Sequence, residues 1–196
     1  MSMAAMNPFA GELIQTNAPG VNGSWCQIAL YAVAPVASSD TAVLAATPLT
    51  AQAQTVTTGI TNPDVVRNVV VKGAISASTG NVTVKGTDYA GNSISETIAL
   101  SGTTAVDGLK AFATVTEIDL PVSAGSGDGV SVGVGSKLGL PYTMTKNTVL
   151  LTYNNHVLEA TAPTVTVDAT NICNNTVTLA SALAGNPVDI YLIVSG

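Results

Sequence analysis

Charged side chains make up only 9% of the 196 residues, against about 25% in an average soluble protein. Long charged side chains normally solvate the exterior of helices, so a helical surface has little to build it. The six basic residues, Arg67, Lys72, Lys85, Lys110, Lys137 and Lys146, are scattered, and the net charge is −6. Phosphate binding needs a concentrated positive field, which excludes a nucleic-acid partner. No Lys or Arg precedes Arg67, and the opening Met1-Ser-Met-Ala-Ala-Met has no basic stretch, so it does not read as a secretory signal. Gly, Asn, Pro and Thr interrupt every hydrophobic stretch before it reaches the roughly 18 residues of a membrane-crossing helix, and no membrane partner is expected. The 46% hydrophobic content therefore points to packing.

Other chemistry is scarce too. Cys26 and Cys173 are the only cysteines and lie far apart, which argues against a disulfide framework and against a zinc site. Both are expected as small buried apolar thiols. His156 is the one histidine; it follows Asn154-Asn155 in a turn-like stretch, and no Gly-x-Ser-x-Gly elbow or acid–base dyad can be placed around it. It reads as a surface turn residue, and no catalytic residue, and hence no enzyme, is expected. Walker and dinucleotide fingerprints are missing, so no cofactor is expected. Ser126-Gly-Asp-Gly129 and Asp88–Asn92 are oxygen-rich, but neither supplies the convergent carboxylates and carbonyls of a calcium site, and no metal is expected.

What remains is Thr, Val, Ser, Gly and Asn. Thr and Val are stiff at χ1 and pack well on a pleated surface, while Gly and Asn make turns. Residues 1–59 hold only Glu12 and Asp40 as charges and break their periodicity at Pro8, Pro19, Pro35 and Pro48. They read either as an extended arm or as a segment completing the core of the domain beyond residue 60. Within them Trp25–Ala34 suits a strand and Thr41–Ala46 a single helical turn. Phe9, Leu13, Ile14, Trp25 and Tyr31 are apolar anchors of the kind that contact another subunit.

From residue 60 to 140 the strand signal sharpens. Val69–Lys72, Asn81–Gly86 with Val82 and Val84 on one face, Ser93–Leu100, Phe112–Leu120 and Gly129–Val134 alternate with turn-rich stretches. Asp88–Asn92 is too short for a crossover and closes a hairpin. Glu96 shares the parity of Ile94 and Ile98, so either a bulge re-aims it or it lies at a sheet edge. Residues 141–196 continue with Thr148–Tyr153, Thr164–Val167, Thr176–Leu179 and Val188–Val194, either as a third region or packed with the second as one domain. Short strands at such spacing mean an all-β fold, an antiparallel β-sandwich or jelly-roll-like domain with an extended N-terminal arm.

The run Asn81-Val-Thr-Val-Lys-Gly-Thr-Asp-Tyr-Ala-Gly-Asn-Ser-Ile-Ser-Glu-Thr-Ile-Ala-Leu-Ser-Gly-Thr-Thr, continuing through Lys110 to Pro121, resembles a module of tailed-bacteriophage virion structural proteins. Lys137-Leu-Gly-Leu-Pro-Tyr and Val188-Asp-Ile-Tyr-Leu-Ile-Val extend the similarity over roughly residues 55 to 194. The resemblance implies a head decoration, or cement, protein on the outer surface of the capsid, with the major capsid protein as its partner. It supplies no catalytic residues. Tail, neck and fibre proteins use comparable β-modules, and a carbohydrate-binding surface module is a further alternative. Against the last, one Trp, two Phe and five Tyr leave few rings on which a sugar can stack. A sparsely charged β-protein is also expected to share surface with copies of itself, as a homo-oligomer and foremost a homotrimer.

Overall fold

The computed structural model describes residues 26–195. They form an all-β, antiparallel sandwich of three sheets, with a single 3-10 turn at Ile172–Asn174 and no α-helix among the described residues. The terminal sheet holds β1 (Cys26–Val33), β14 (Val188–Ser195), β10 (Val149–Asn154) and β11 (Val157–Leu158), in that order. The hairpin sheet runs β3 (Gln54–Val56), β8 (Thr114–Leu120), β5 (Asn81–Thr87), β6 (Ser93–Ala99). The central sheet runs β12 (Thr164–Thr166), β13 (Thr176–Thr178), β9 (Gly129–Gly139), β4 (Arg67–Gly73), β7 (Val106–Phe112), with β2 (Ser39–Pro48) also on β9.

This arrangement encloses two cores. Val69, Val71, Val130, Val132 and Val134 of the central sheet pack on Val82, Val84, Ile98, Ile118 and Leu120 of the hairpin sheet. Leu138 and Leu140, at the other end of β9, pack with Val177 and with Val188, Ile190 and Leu192 of the terminal sheet. The strand β9 thus enters both cores. Pairing also crosses both compositional boundaries: β1 lies on β14, β2 on β9, and β13 on β9. From Cys26 on, the N-terminal region is strand built into these sheets.

Thr41–Ala46, expected as a helical turn, is part of β2. Its pairing with β9 is broken by two register shifts, and the neighbours Val43 and Leu44 are both buried. A bulged strand buries adjacent residues and loses the period-2 pattern by which strands are read. The single strand expected over Phe112–Leu120 is a pair: Phe112 ends β7, and Thr114 starts β8 in a different sheet.

The most distorted level of the fold lies around Arg67 and Asn68. Arg67 and Val69 of β4 pair with Leu138 and Val134 of β9, so β9 carries an extra stretch there. On the other side, Asn68 and Val70 pair with Ala111 and Asp107, so β7 bulges at the same level. Arg67 is fully buried. Its Nε donates to Gly135 O at 2.7 Å, and Nη2 donates to the same oxygen. Nη1 donates to Val36 O at 2.9 Å and to Asp64 Oδ1 at 3.1 Å. Asp64 Oδ2 in turn accepts Val36 N at 2.7 Å. Asn68, equally buried, donates to Asp107 Oδ1 at 2.9 Å and accepts Lys137 N at 2.9 Å. Gly135 must lack a side chain, because a Cβ there would meet the Asn68 amide at 2.4 Å.

The bulge in β7 also accounts for Glu96. It lies on β6, the edge strand, in unbroken register with β5. Its Oε1 accepts Leu109 N at 2.6 Å and its Oε2 accepts Lys110 N at 3.1 Å, stitching the hairpin sheet to the central one.

Arg67→Met leaves Asp64 and the Gly135 and Val36 carbonyls without their donor. The expected loss is about 3 kcal/mol of unfolding free energy, and Arg67→Lys, which keeps the charge but not the planar fork, loses about 2 kcal/mol. Urea denaturation monitored by circular dichroism measures both; a loss under about 1 kcal/mol for the Met variant contradicts the bonding scheme.

Candidate interaction surface

An antiparallel sheet with one face on a core usually turns polar side chains outward. The hairpin sheet does so. Across its outer face Thr83 Oγ1 meets Thr97 Oγ1 at 2.9 Å, Thr87 meets Thr114 at 2.7 Å, and Thr55 Oγ1 donates to Asp119 Oδ1 at 2.8 Å. Lys85 bridges Asp119 at 2.8 Å and Glu117 at 2.5 Å, and these two carboxylates push its ammonium up to about 12.

The terminal sheet does the opposite. Directly opposed residues share a face in an antiparallel ladder, and the register aligns Leu30, Tyr191 and Leu151 across three strands, Ile28 with Ile193, and Tyr153 with Leu158. These residues face away from the core, which takes the other parity: Ala29, Tyr31, Val33, Ile190 and Leu192. Ile28, Leu30, Leu151 and Leu158 are 51%, 53%, 46% and 50% exposed. Tyr153 and Tyr191 lie edge to face, 5.9 Å between centroids and 71° between planes. The one ionisable carboxylate in these rows is Asp189, opposite Ala32 and Tyr153.

Of the residues expected to make contacts, Phe9, Leu13, Ile14 and Trp25 lie outside the described residues. Tyr31 sits on the inward side of β1, half-buried and edge-on to Tyr89 of the β5–β6 loop at 6.3 Å. Burial, aided by Tyr89, pushes its hydroxyl up to about 12. The exposed large apolar residues of β1 are Ile28 and Leu30, whose apolar character is plain in the sequence but whose outward aim is not.

The oxygen-rich turns are closed by their own chain. Asp88 Oδ1 accepts Ala90 N and Asn92 N, each at 2.9 Å. Asp128 accepts Ala124 N and Gly129 N, each at 2.8 Å, and the Ser78 hydroxyl. Asp168 accepts Asn171 N at 2.9 Å, Asn174 Nδ2 at 2.7 Å and Thr170 N at 2.7 Å, which hold its carboxyl well below the usual range. Among the described residues no three His, Cys, Asp or Glu side chains converge on a point that a metal ion could fill. A cleft of about 310 Å³ is lined by residues of β2, β4 and β9, and its charged groups, Lys72 and Asp40, are paired with each other at 2.7 Å. Cys173 is buried, and desolvation pushes its thiol up; nothing is described of the Cys26 side chain.

His156 is exposed, in the two-residue turn between β10 and β11, where Asn155 and His156 both have positive φ, 52° and 62°.

No known protein family, curated protein or solved structure matches the chain.

The turn geometry makes two expectations measurable. Asn-Gly is the preferred pair for a hairpin turn with two positive φ angles, so His156→Gly raises stability by about 0.5 to 1 kcal/mol in thermal unfolding, and His156→Ala does not. Asp168 has a lower pKa folded than unfolded, so its contribution is present at neutral pH and lost as pH falls below about 4. Asp168→Asn is therefore less stable than wild type at pH 7, with the gap closing in acid; denaturation midpoints measured across about pH 7 to 2.5 test the sign.

Proposed function

We propose that the protein is a structural, non-enzymatic subunit that decorates the outside of a tailed-phage head and stabilises the shell by bridging neighbouring major capsid subunits. The observation that carries this reading is the outer face of the terminal sheet, among the described residues an apolar and nearly uncharged surface of the size that often marks an interaction site. The resemblance of residues 55 to 194 to virion modules supports it from the sequence side. So does the way charge is used. Arg67, Asp88 and Asp128 are buried and bonded within the chain, and Asp64, Asp168 and Glu96 accept hydrogen bonds from the chain's own backbone.

Bridging needs several modest contacts per copy. Each is weak alone, and repetition around a symmetric shell raises the apparent affinity by effective concentration. Such a role asks for a rigid body with low-charge faces and requires no cleft with convergent acid and base.

The purified protein is expected to co-sediment with heads that lack it, to raise their thermal resistance, and to appear as added density on the shell exterior by electron microscopy. Density on the tail or neck would replace the head role with a tail structural one. Absence of binding to any virion part, together with retention on a glycan array, would replace it with the carbohydrate-binding reading.

A further inference from the structure

The apolar face of the terminal sheet needs an occupant. We propose that it is a second copy of this chain: subunits associate through the outer faces of their terminal sheets, with Leu30, Tyr191 and Leu151 at the centre of the contact. This rests on the reading of the protein as an assembly subunit and assigns its apolar face to contacts between copies, so that contacts with the shell fall to the other faces of the oligomer.

Charge favours a partner of the same kind. Asp189 stands at one end of the face, and none of the six basic residues lies in β1, β10, β11 or β14. A partner that recognises by opposite charge finds almost nothing to bind, whereas an equally uncharged apolar sheet meets no unpaired charge on approach. The terminal sheet is such a surface on this same molecule.

The area suffices as well. Ile28, Leu30, Leu151 and Leu158 are each about half exposed, and Tyr153, Tyr191 and Ile193 are partly so. Together they offer on the order of 500 Å² per copy, so two copies remove about 1,000 Å² from water, the area a specific interface has to clear. Geometry agrees with this. Two twisted sheets stack face to face at about −30° with side chains interleaved, the face-to-face packing this chain already uses for its cores.

The border strand adds a second feature. Among the described residues strand β1 pairs with β14 alone, and its eight residues, Cys-Gln-Ile-Ala-Leu-Tyr-Ala-Val, include no charge and no proline. Protective charges and prolines are the usual means of keeping an edge monomeric, and β1 has neither. Stacking a copy on the adjoining face shields that edge from unrelated chains.

The test uses the full chain in solution, without heads, so that its outcome is separate from that of the decoration reading. Sedimentation velocity and light scattering at micromolar concentration are expected to show a wild-type oligomer. Leu30→Lys and Leu151→Lys, both at solvent-facing positions, are expected to weaken association at least about tenfold while circular dichroism stays unchanged and the melting temperature falls only by the stabilisation that association supplies. Thr83→Lys, on the outer face of the hairpin sheet, serves as the control and is expected to associate like wild type. A monomeric wild type overturns the proposal, and so do lysine variants that assemble as well as wild type. A monomeric wild type that melts lower when Leu30 becomes lysine overturns it in favour of a face covered by residues 1–25 of the same chain.

Discussion

The fold depends on one buried guanidinium. Arg67 stands where β4 passes from the first core to the second, and its planar fork meets the bulged backbone of β9 at Gly135 and the β1–β2 connection at Val36. Removing a cation from water costs several kcal/mol unless its donors are met, and here both carbonyls and the Asp64 carboxylate meet them. The same Asp64 accepts the Val36 N–H, so Val36 is held through both its donor and its acceptor. Val36 lies where the chain leaves the terminal sheet for the central one. The position of the terminal sheet, and with it the apolar outer face, is therefore fixed through this cluster as well as through the aliphatic packing of Leu138 and Ile190.

Around that cluster the backbone departs from regular ladders on both sides of β4, and polar side chains take up the groups the departures set free. Glu96 receives the two N–H groups of the β7 bulge, Asn68 receives the N–H of Lys137, and Lys137 Nζ returns to Gly108 O at 2.8 Å. Buried backbone groups left unpaired cost about as much as a lost hydrogen bond each. Arg67, Asn68, Glu96 and Lys137 thus form their hydrogen bonds where regular pairing fails.

The same division governs how far the fold can be read from the residues. The regular strands are plain. Val82 and Val84 alternate with Thr83 and Lys85, and the Asp88–Asn92 turn closes the hairpin between β5 and β6 as its length implies. The strands that escape a sequence reading are the bulged or uneven ones. Two register shifts in β2 bury Val43 beside Leu44, and the bulge of β7 leaves Leu109 the most exposed of the large apolar side chains among the described residues, at 70%. Neither pattern has a period of 2. Arg67, in turn, reads as one of six scattered cations, because no local signal distinguishes an arginine that will be buried from one that will be solvated. Its role depends on Gly135, 68 positions away.

The interaction surface is half legible for a related reason. The apolar content of β1 is evident, but alternation alone gives two faces without saying which is the core. Tyr31, with its large ring, suits an outward anchor. The register shows why it turns inward: Tyr31 is opposite Ile190, and Ile190 is fully buried, whereas Leu30 is opposite Tyr191, which is not. A one-residue change of parity exchanges the faces of a strand completely, and in a strand whose residues are uncharged throughout, no charged side chain marks the solvent side. The same uniformity that hides the answer in the sequence is what makes the face a candidate for assembly. The second core covers one face of β1, and covering the other would remove further apolar area from water.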